Sequence, residues 1–266
     1  MTNAIEAEHR PGRGPAIVLV HGNSSSRAIW RPLMAHLAGR ELLAMDLRGH
    51  GASAWARPPD YSTAGYADDI ARAVERLAGR AFVLVGHSNG ALSAAYYAAH
   101  HQPKPKALVY IDISPSVPAS QVSYFHQRAA SVDRLWTSLE KLTTTMSAAD
   151  PTVPTGAFAA YLSEFAEPVE GGLRQMLDPM TFGAWAPADV WEDLRSLAMP
   201  LHLVRGATSR VLSPEVAEEM RARLPMARFH QINGAGHFLM LAKPERLAAI
   251  IEEAILDIEA VGACED

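Results

Sequence analysis

The chain has 266 residues, 48% hydrophobic and 20% charged, a balance that allows one sizeable globular core and argues against a disordered or fibrous chain. A formal net charge of −5 provides no basic field for nucleic acid or an anionic membrane surface. No stretch approaches the ~18 continuous apolar residues of a membrane span, the start MTNAIEAEHRPGRG lacks the regions of a secretory leader, and the single cysteine, Cys264, precludes an intramolecular disulfide, so a soluble cytoplasmic protein is expected.

Along the chain, short apolar runs alternate with helical patterns. Ala16 to Val20 reads as a strand and leads into His21-Gly22-Asn23-Ser24-Ser25-Ser26. A helix over Arg27 to Leu37, a strand over Glu41 to Asp46, a turn Asp46-Leu47-Arg48-Gly49-His50-Gly51 and a helix over Ala64 to Leu77 follow. Strand Ala81 to Val85 runs into Gly86-His87-Ser88-Asn89-Gly90, with a helix over Asn89 to His101 and a strand over Lys106 to Asp112 behind it. From Ser114 to Met199 the strand rhythm stops, and the segment reads as helical, broken by Pro and Gly and rich in aromatics. Most of those aromatics are expected to pack the segment itself, the remainder to wall a pocket. The last part holds strands over Leu201 to Gly206 and Ala227 to Ile232, with helices over Pro214 to Arg223 and Pro244 to about Ala260.

This alternation predicts an α/β fold with a mostly parallel, doubly wound sheet, because βαβ units cover a parallel sheet on both faces. The helical segment is expected to be a cap inserted into the sheet domain, dividing the chain into 1–113 (core, first part), 114–199 (helical cap) and 200–266 (core, second part).

The motif that carries chemistry is Gly86-His87-Ser88-Asn89-Gly90 between an apolar strand and a helix. A serine in such a strained turn has its hydroxyl lifted clear of the sheet edge, the two glycines permit the close backbone approach, and the helix N-terminus favours a developing oxyanion. Ser88 is therefore the expected nucleophile. Near the end, Asn233-Gly234-Ala235-Gly236-His237 offers an imidazole on a glycine turn. Neutral imidazole within reach of a serine hydroxyl can take its proton and later deliver it to a leaving group.

In these motifs and their order the chain resembles the α/β-hydrolase superfamily over nearly its whole length. The resemblance implies Ser88 as nucleophile, His237 as general base, and an oxyanion hole from the amides of Asn23 and Asn89. It implies a structural role for the Asp46 to Gly51 turn, and it makes the lead before Ala16 look too short for the family's usual first two strands. The family usually carries its acid after the strand read here as Leu201 to Gly206, but that loop is Ala207-Thr208-Ser209-Arg210-Val211-Leu212-Ser213. Glu215, the next acid, suits the first turn of the following helix. Some members place the acid after the strand that here ends at Asp112, so Asp112 is the expected orienting carboxylate. Otherwise Asp112 caps the following turn and the enzyme is a Ser-His dyad, helped by Ser209.

Trp30, Tyr124, Phe125 and Phe238 are the candidate substrate-binding residues, from position. His87, His100 and His101 are given ordinary structural roles. No metal-binding or nucleotide-binding motif is present, so neither a metal nor a cofactor is expected. The expected partner is a small-molecule substrate, with monomer and homodimer both open. Ester or lactone hydrolysis is the leading expectation. Carbon-carbon bond hydrolysis, cofactor-free dioxygenation and a non-enzymatic small-ligand receptor are the alternatives that the same fold supports.

Overall fold

Alternation within Ala16 to Val20 decides how the sheet divides the interior. Successive strand side chains point to opposite faces, so Val18 and Val20 enter one buried apolar cluster while Ile17 and Leu19 enter another. The computed structural model describes residues 4–132 and 134–262, and Cys264 lies outside them. In chain order the strands are β1 (Ala7–Arg10), β2 (Arg13–Val20), β3 (Arg40–Met45), β4 (Tyr61–Ser62), β5 (Phe82–His87), β6 (Ala107–Ile111), β7 (Ala166–Val169), β8 (Gly172–Gln175), β9 (Trp185–Ala186), β10 (Leu201–Gly206) and β11 (Arg228–Ile232).

The main sheet has seven strands in the order β1-β3-β2-β5-β6-β10-β11. Only the β1 to β3 pairing is antiparallel, which matches the mostly parallel sheet expected. The lead before Ala16 is long enough after all to supply β1, which pairs Ala7 with Met45 and Arg10 with Leu42. Helices Thr63–Val74 and Asn89–His100 cover one face, and helices Arg31–His36 and Pro244–Gly262 the other. The turn at 46–51 is structural, as expected: buried Asp46 bonds the Arg27 guanidinium and the Ala52 amide, and buried Arg48 pairs with buried Asp69 at 2.8 Å. Glu215 sits in the first turn of helix Pro214–Arg223, capped by Ser213.

Residues 114–199 hold helices Ala119–Gln127, Ala129–Val132, Leu139–Ala149, Thr155–Phe165, Met180–Gly183 and Trp191–Ser196. They are not purely helical, in contrast to the sequence expectation. Hairpin β7–β8 turns through Glu170-Gly171, with Gly171 at φ 88° and Gly172 at φ 153°, a glycine pair that permits the tight reversal. Strand β9 adds to β4 in a second small sheet. Trp191 and Leu194 join the same apolar cluster as helix Asn89–His100. Among the described residues no helix is long and apolar enough to cross a membrane.

Candidate active site

Strand β5 ends at His87, and the chain then reverses into helix Asn89–His100 through Ser88, which has φ 54° and ψ −128°. A non-glycine residue held there is strained by about 1–3 kcal/mol, a cost seen mainly where function needs it. Both flanking glycines are required by space. A methyl group on Gly86 would meet the Gly90 carbonyl oxygen at 2.5 Å, and one on Gly90 would meet the His21 carbonyl oxygen at 2.3 Å. Gly22, two residues beyond β2, faces the serine itself, where an added Cβ would lie 2.7 Å from Ser88 Cβ.

Asp112 follows β6 and is fully buried at φ 57°. Its Oδ1 accepts from the Gly206 amide at 3.0 Å, and its Oδ2 accepts from Ser209 Oγ at 2.5 Å and from His237 Nδ1 at 2.7 Å. Three donors satisfy a carboxylate that burial would otherwise penalise. The bond to Nδ1 selects the imidazole tautomer in which Nε2 carries the lone pair. His237 and Ser88 line one cavity of about 220 Å³ together with Asn23, Asn89, Phe125, Trp185 and Phe238. A second cavity, about 370 Å³, shares Val211, His237 and Phe238 with it and is also lined by Asp150, Thr152 and Arg210.

A sequence model of the alpha/beta hydrolase family matches residues 17–250. The chain belongs to that family. Among its relatives, 2-(acetamidomethylene)succinate hydrolase of Mesorhizobium japonicum is 28% identical over 239 residues, covering 88% of this chain and 85% of the relative. An esterase of Mycobacterium tuberculosis is 27% identical over 262 residues, covering 96% of this chain and 87% of the relative. A crystal structure of E-2-(acetamidomethylene)succinate hydrolase superposes with a TM-score of 0.85 at 27% identity, covering 94% of each chain. Several relatives carry the names of esterases, lipases and hydrolases, and this protein is a hydrolase.

In this hydrolase, Asn23, Ser88, Asn89, Phe125, His237 and Phe238 gather around one cavity, and Asp112 stands behind His237. Two expected pocket residues are elsewhere. Trp30 is fully buried beneath the site, edge-on to His87 with ring centroids 6.5 Å apart, because the helical turn Arg27–Trp30 points its bulk into the core. Tyr124 is 53% exposed and its ring lies under the Arg128 guanidinium, since Phe125, the next residue round the helix, takes the inward position.

His87 has more than an ordinary structural role. Its ring lies 4.4 Å from that of His237, its Nε2 donates to the His237 carbonyl at 3.0 Å, and Nδ1 has no hydrogen-bond partner among the described residues. Burial, and then the neighbouring His237, hold its pKa well below the usual histidine value, so the ring is neutral. The sequence reading also missed Trp185, whose indole donates to Asn89 Oδ1 at 2.8 Å. It missed Asp150 and Thr152 as well. Asp150 Oδ2 accepts from the Phe238 amide at 3.0 Å and Thr152 Oγ1 from the Gly236 amide at 2.9 Å, which ties the loop bearing His237 to residues between two helices of the 114–199 segment. The only local trace of this is the Asp150-Pro151-Thr152 turn composition, which says nothing about what it grips.

Proposed function

We propose that this hydrolase cleaves a small carboxylic ester or lactone through an acyl-enzyme on Ser88. The observation that carries the reading is the 2.7 Å hydrogen bond from His237 Nδ1 to buried Asp112, on the wall of the cavity that also holds Ser88. In this mechanism Ser88 Oγ attacks the carbonyl carbon as His237 Nε2 takes its proton, and the amides of Asn23 and Asn89 hold the oxyanion. His237 returns the proton to the leaving alcohol. It then activates the water that releases the acid, while Asp112 fixes the tautomer and orients the ring. The chemistry needs no cofactor. A cavity of about 220 Å³ lies below the ~300–1,000 Å³ of drug-sized sites, which favours a short chain on the serine side. Segment 114–199 contributes Gln121, Phe125 and Trp185 to that wall, consistent with its acting as a cap.

Arg210 favours a narrower reading, a substrate carrying a carboxylate. It is exposed, lines the second cavity beside His237 and has no ion pair among the described residues. A relative is named for a succinate derivative, which has the matching charge. The test uses p-nitrophenyl butyrate and mono-p-nitrophenyl succinate. Wild type should give burst release from both, Ser88→Ala should lose about 10⁴-fold or more in kcat, and Arg210→Ala should raise KM about tenfold for the succinate ester alone. Full turnover by Ser88→Ala, or oxygen uptake by it, would overturn the acyl-enzyme. An unchanged KM in Arg210→Ala would remove only the carboxylate.

A further inference from the structure

Away from the serine, strands β10 and β11 and the last helix bring two imidazoles and a carboxylate together. β10 pairs with β11 in parallel, His202 opposite Arg228 and Val204 opposite His230, so His202 and His230 stand on the same face of the sheet, two positions apart. Their rings are parallel within 3°, and His202 Nδ1 lies 3.1 Å from His230 Nε2. Ligand atoms of His202, His230 and Glu253, on the last helix, all fall within 4.8 Å of one another.

We infer that His202, His230 and Glu253 form a binding site for a borderline divalent transition cation of the zinc class. Donors on one tetrahedral zinc, with bonds of about 2.0–2.1 Å, lie roughly 3.3 Å apart. The two ring nitrogens already meet that spacing at 3.1 Å. Glu253 has to close a gap of at most about 1.5 Å from the 4.8 Å limit to that spacing, and as an exposed side chain it can do so by a change of rotamer.

The surroundings fit a ligand histidine. His202 is fully buried, and its Nε2 donates to Asp257 Oδ2 at 3.1 Å, which frees Nδ1 as the lone-pair nitrogen. Asp257 Oδ1 in turn accepts from Arg228 Nη2 at 2.6 Å. A carboxylate that orients the far nitrogen of a histidine is the usual outer partner of a metal ligand. Burial holds both imidazoles below the usual histidine pKa, and so in the neutral form that binds metal. Without an ion, His230 Nε2 donates its proton to His202 Nδ1. On binding, that proton moves to His230 Nδ1 through exchange with water, and both lone pairs converge. Two nitrogen donors and one carboxylate select zinc, cobalt or nickel over magnesium and calcium. The ion would join the edge strand β11 and the last helix to β10.

The experiment is calorimetric titration of the chelator-treated full-length protein with Zn²⁺, repeated with Co²⁺ to read coordination from visible absorption. One equivalent should bind at micromolar affinity or tighter, with the absorption of a four-coordinate nitrogen and oxygen site and a Tm raised by several degrees. His230→Ala should weaken binding at least 100-fold and Glu253→Gln about tenfold. His237→Ala should leave it unchanged, which separates this site from the histidines near Ser88. Glu253 is exposed, so its variant reports on the site even if His230→Ala folds poorly. Binding abolished by His237→Ala, equal binding by wild type and Glu253→Gln, or no one-to-one binding would overturn the site and leave the pair as a histidine-histidine hydrogen bond.

Discussion

Asp112 is the side chain on which the orientation of His237, the proposed base, depends. Its carboxylate accepts from Gly206, Ser209 and His237, and no donor is needed from it. Asp112→Asn puts an NH₂ group among three donors, so at least one bond is replaced by a donor-donor repulsion and the imidazole turns or changes tautomer. Stability changes little if Gly206 and Ser209 keep the remaining oxygen. The expected loss in kcat on p-nitrophenyl butyrate is about 10⁴-fold. Ser209→Ala removes a single bond to the carboxylate, and an interaction of roughly 1.5–3 kcal/mol converts to about a 10–100-fold effect. Equal losses in the two variants would make Asp112 no more than a structural acceptor. His87 belongs to the same scale, since a neutral ring tilted at 44° against that of His237, with centroids 4.4 Å apart, limits how far the His237 ring can rotate.

At the scale of elements, the site exists because strand β5, the end of β2 and helix Asn89–His100 approach closer than ordinary side chains permit. Gly90 lets the helix start lie on the backbone of Val20 and His21. Gly90→Ala should therefore cost about 2–3 kcal/mol by overpacking, a drop of several degrees in Tm by scanning calorimetry, together with loss of activity as Ser88 is displaced. Gly156, in helix Thr155–Phe165, has open space where its Cβ would be, and Gly156→Ala should be neutral or slightly stabilising. Similar Tm values for the two variants would refute the packing argument. The loop that carries His237 follows a different rule. It is held by Asp150 and Thr152 from the 114–199 segment, so the position of His237 depends on how that segment docks.

For the molecule as a whole, the buried histidines link stability to pH. His21 donates from Nδ1 to the Gly22 carbonyl and accepts at Nε2 from the Leu47 amide, while His50 donates from Nδ1 to the Arg48 carbonyl. Burial lowers His21 to about 4 and His50 to about 3. An unfolded chain protonates these rings near pH 6.5. On acidification the unfolded state therefore binds more protons, and stability that is complete above about pH 7 is lost down to about pH 4 for His21 and about pH 3 for His50. Between pH 7 and pH 5 each ring should cost on the order of 1–2 kcal/mol. Buried Asp46 and Asp69, raised by burial, act in the opposite sense, so the measurement compares wild type with His50→Gln by urea unfolding at both pH values. The variant should lose less over the interval, by about 1–2 kcal/mol. Identical losses would mean that His50 does not carry the effect.

The alternation of apolar runs, the glycine spacing around Ser88 and the glycine turn before His237 are local properties, and local properties determine strands, helices and turn conformations. They were enough to specify the mostly parallel sheet, the strained serine and the surrounding pocket loops. The choice of Asp112 depended on an absence, the loop after Gly206 having no acid, and only the adjacency of β6 and β10 joined that carboxylate to Ser209 and His237. Sequence distance hid the rest. The rotation of one helix decided Phe125 over Tyr124, the packing of a helical turn buried Trp30, and Asp150, which docks on the His237 loop, lies 88 positions from the Phe238 amide it holds. The pairing of His202 with His230 likewise needed two strands in register. Contacts of this kind arise from the simultaneous fit of distant surfaces, and no window along the chain contains them.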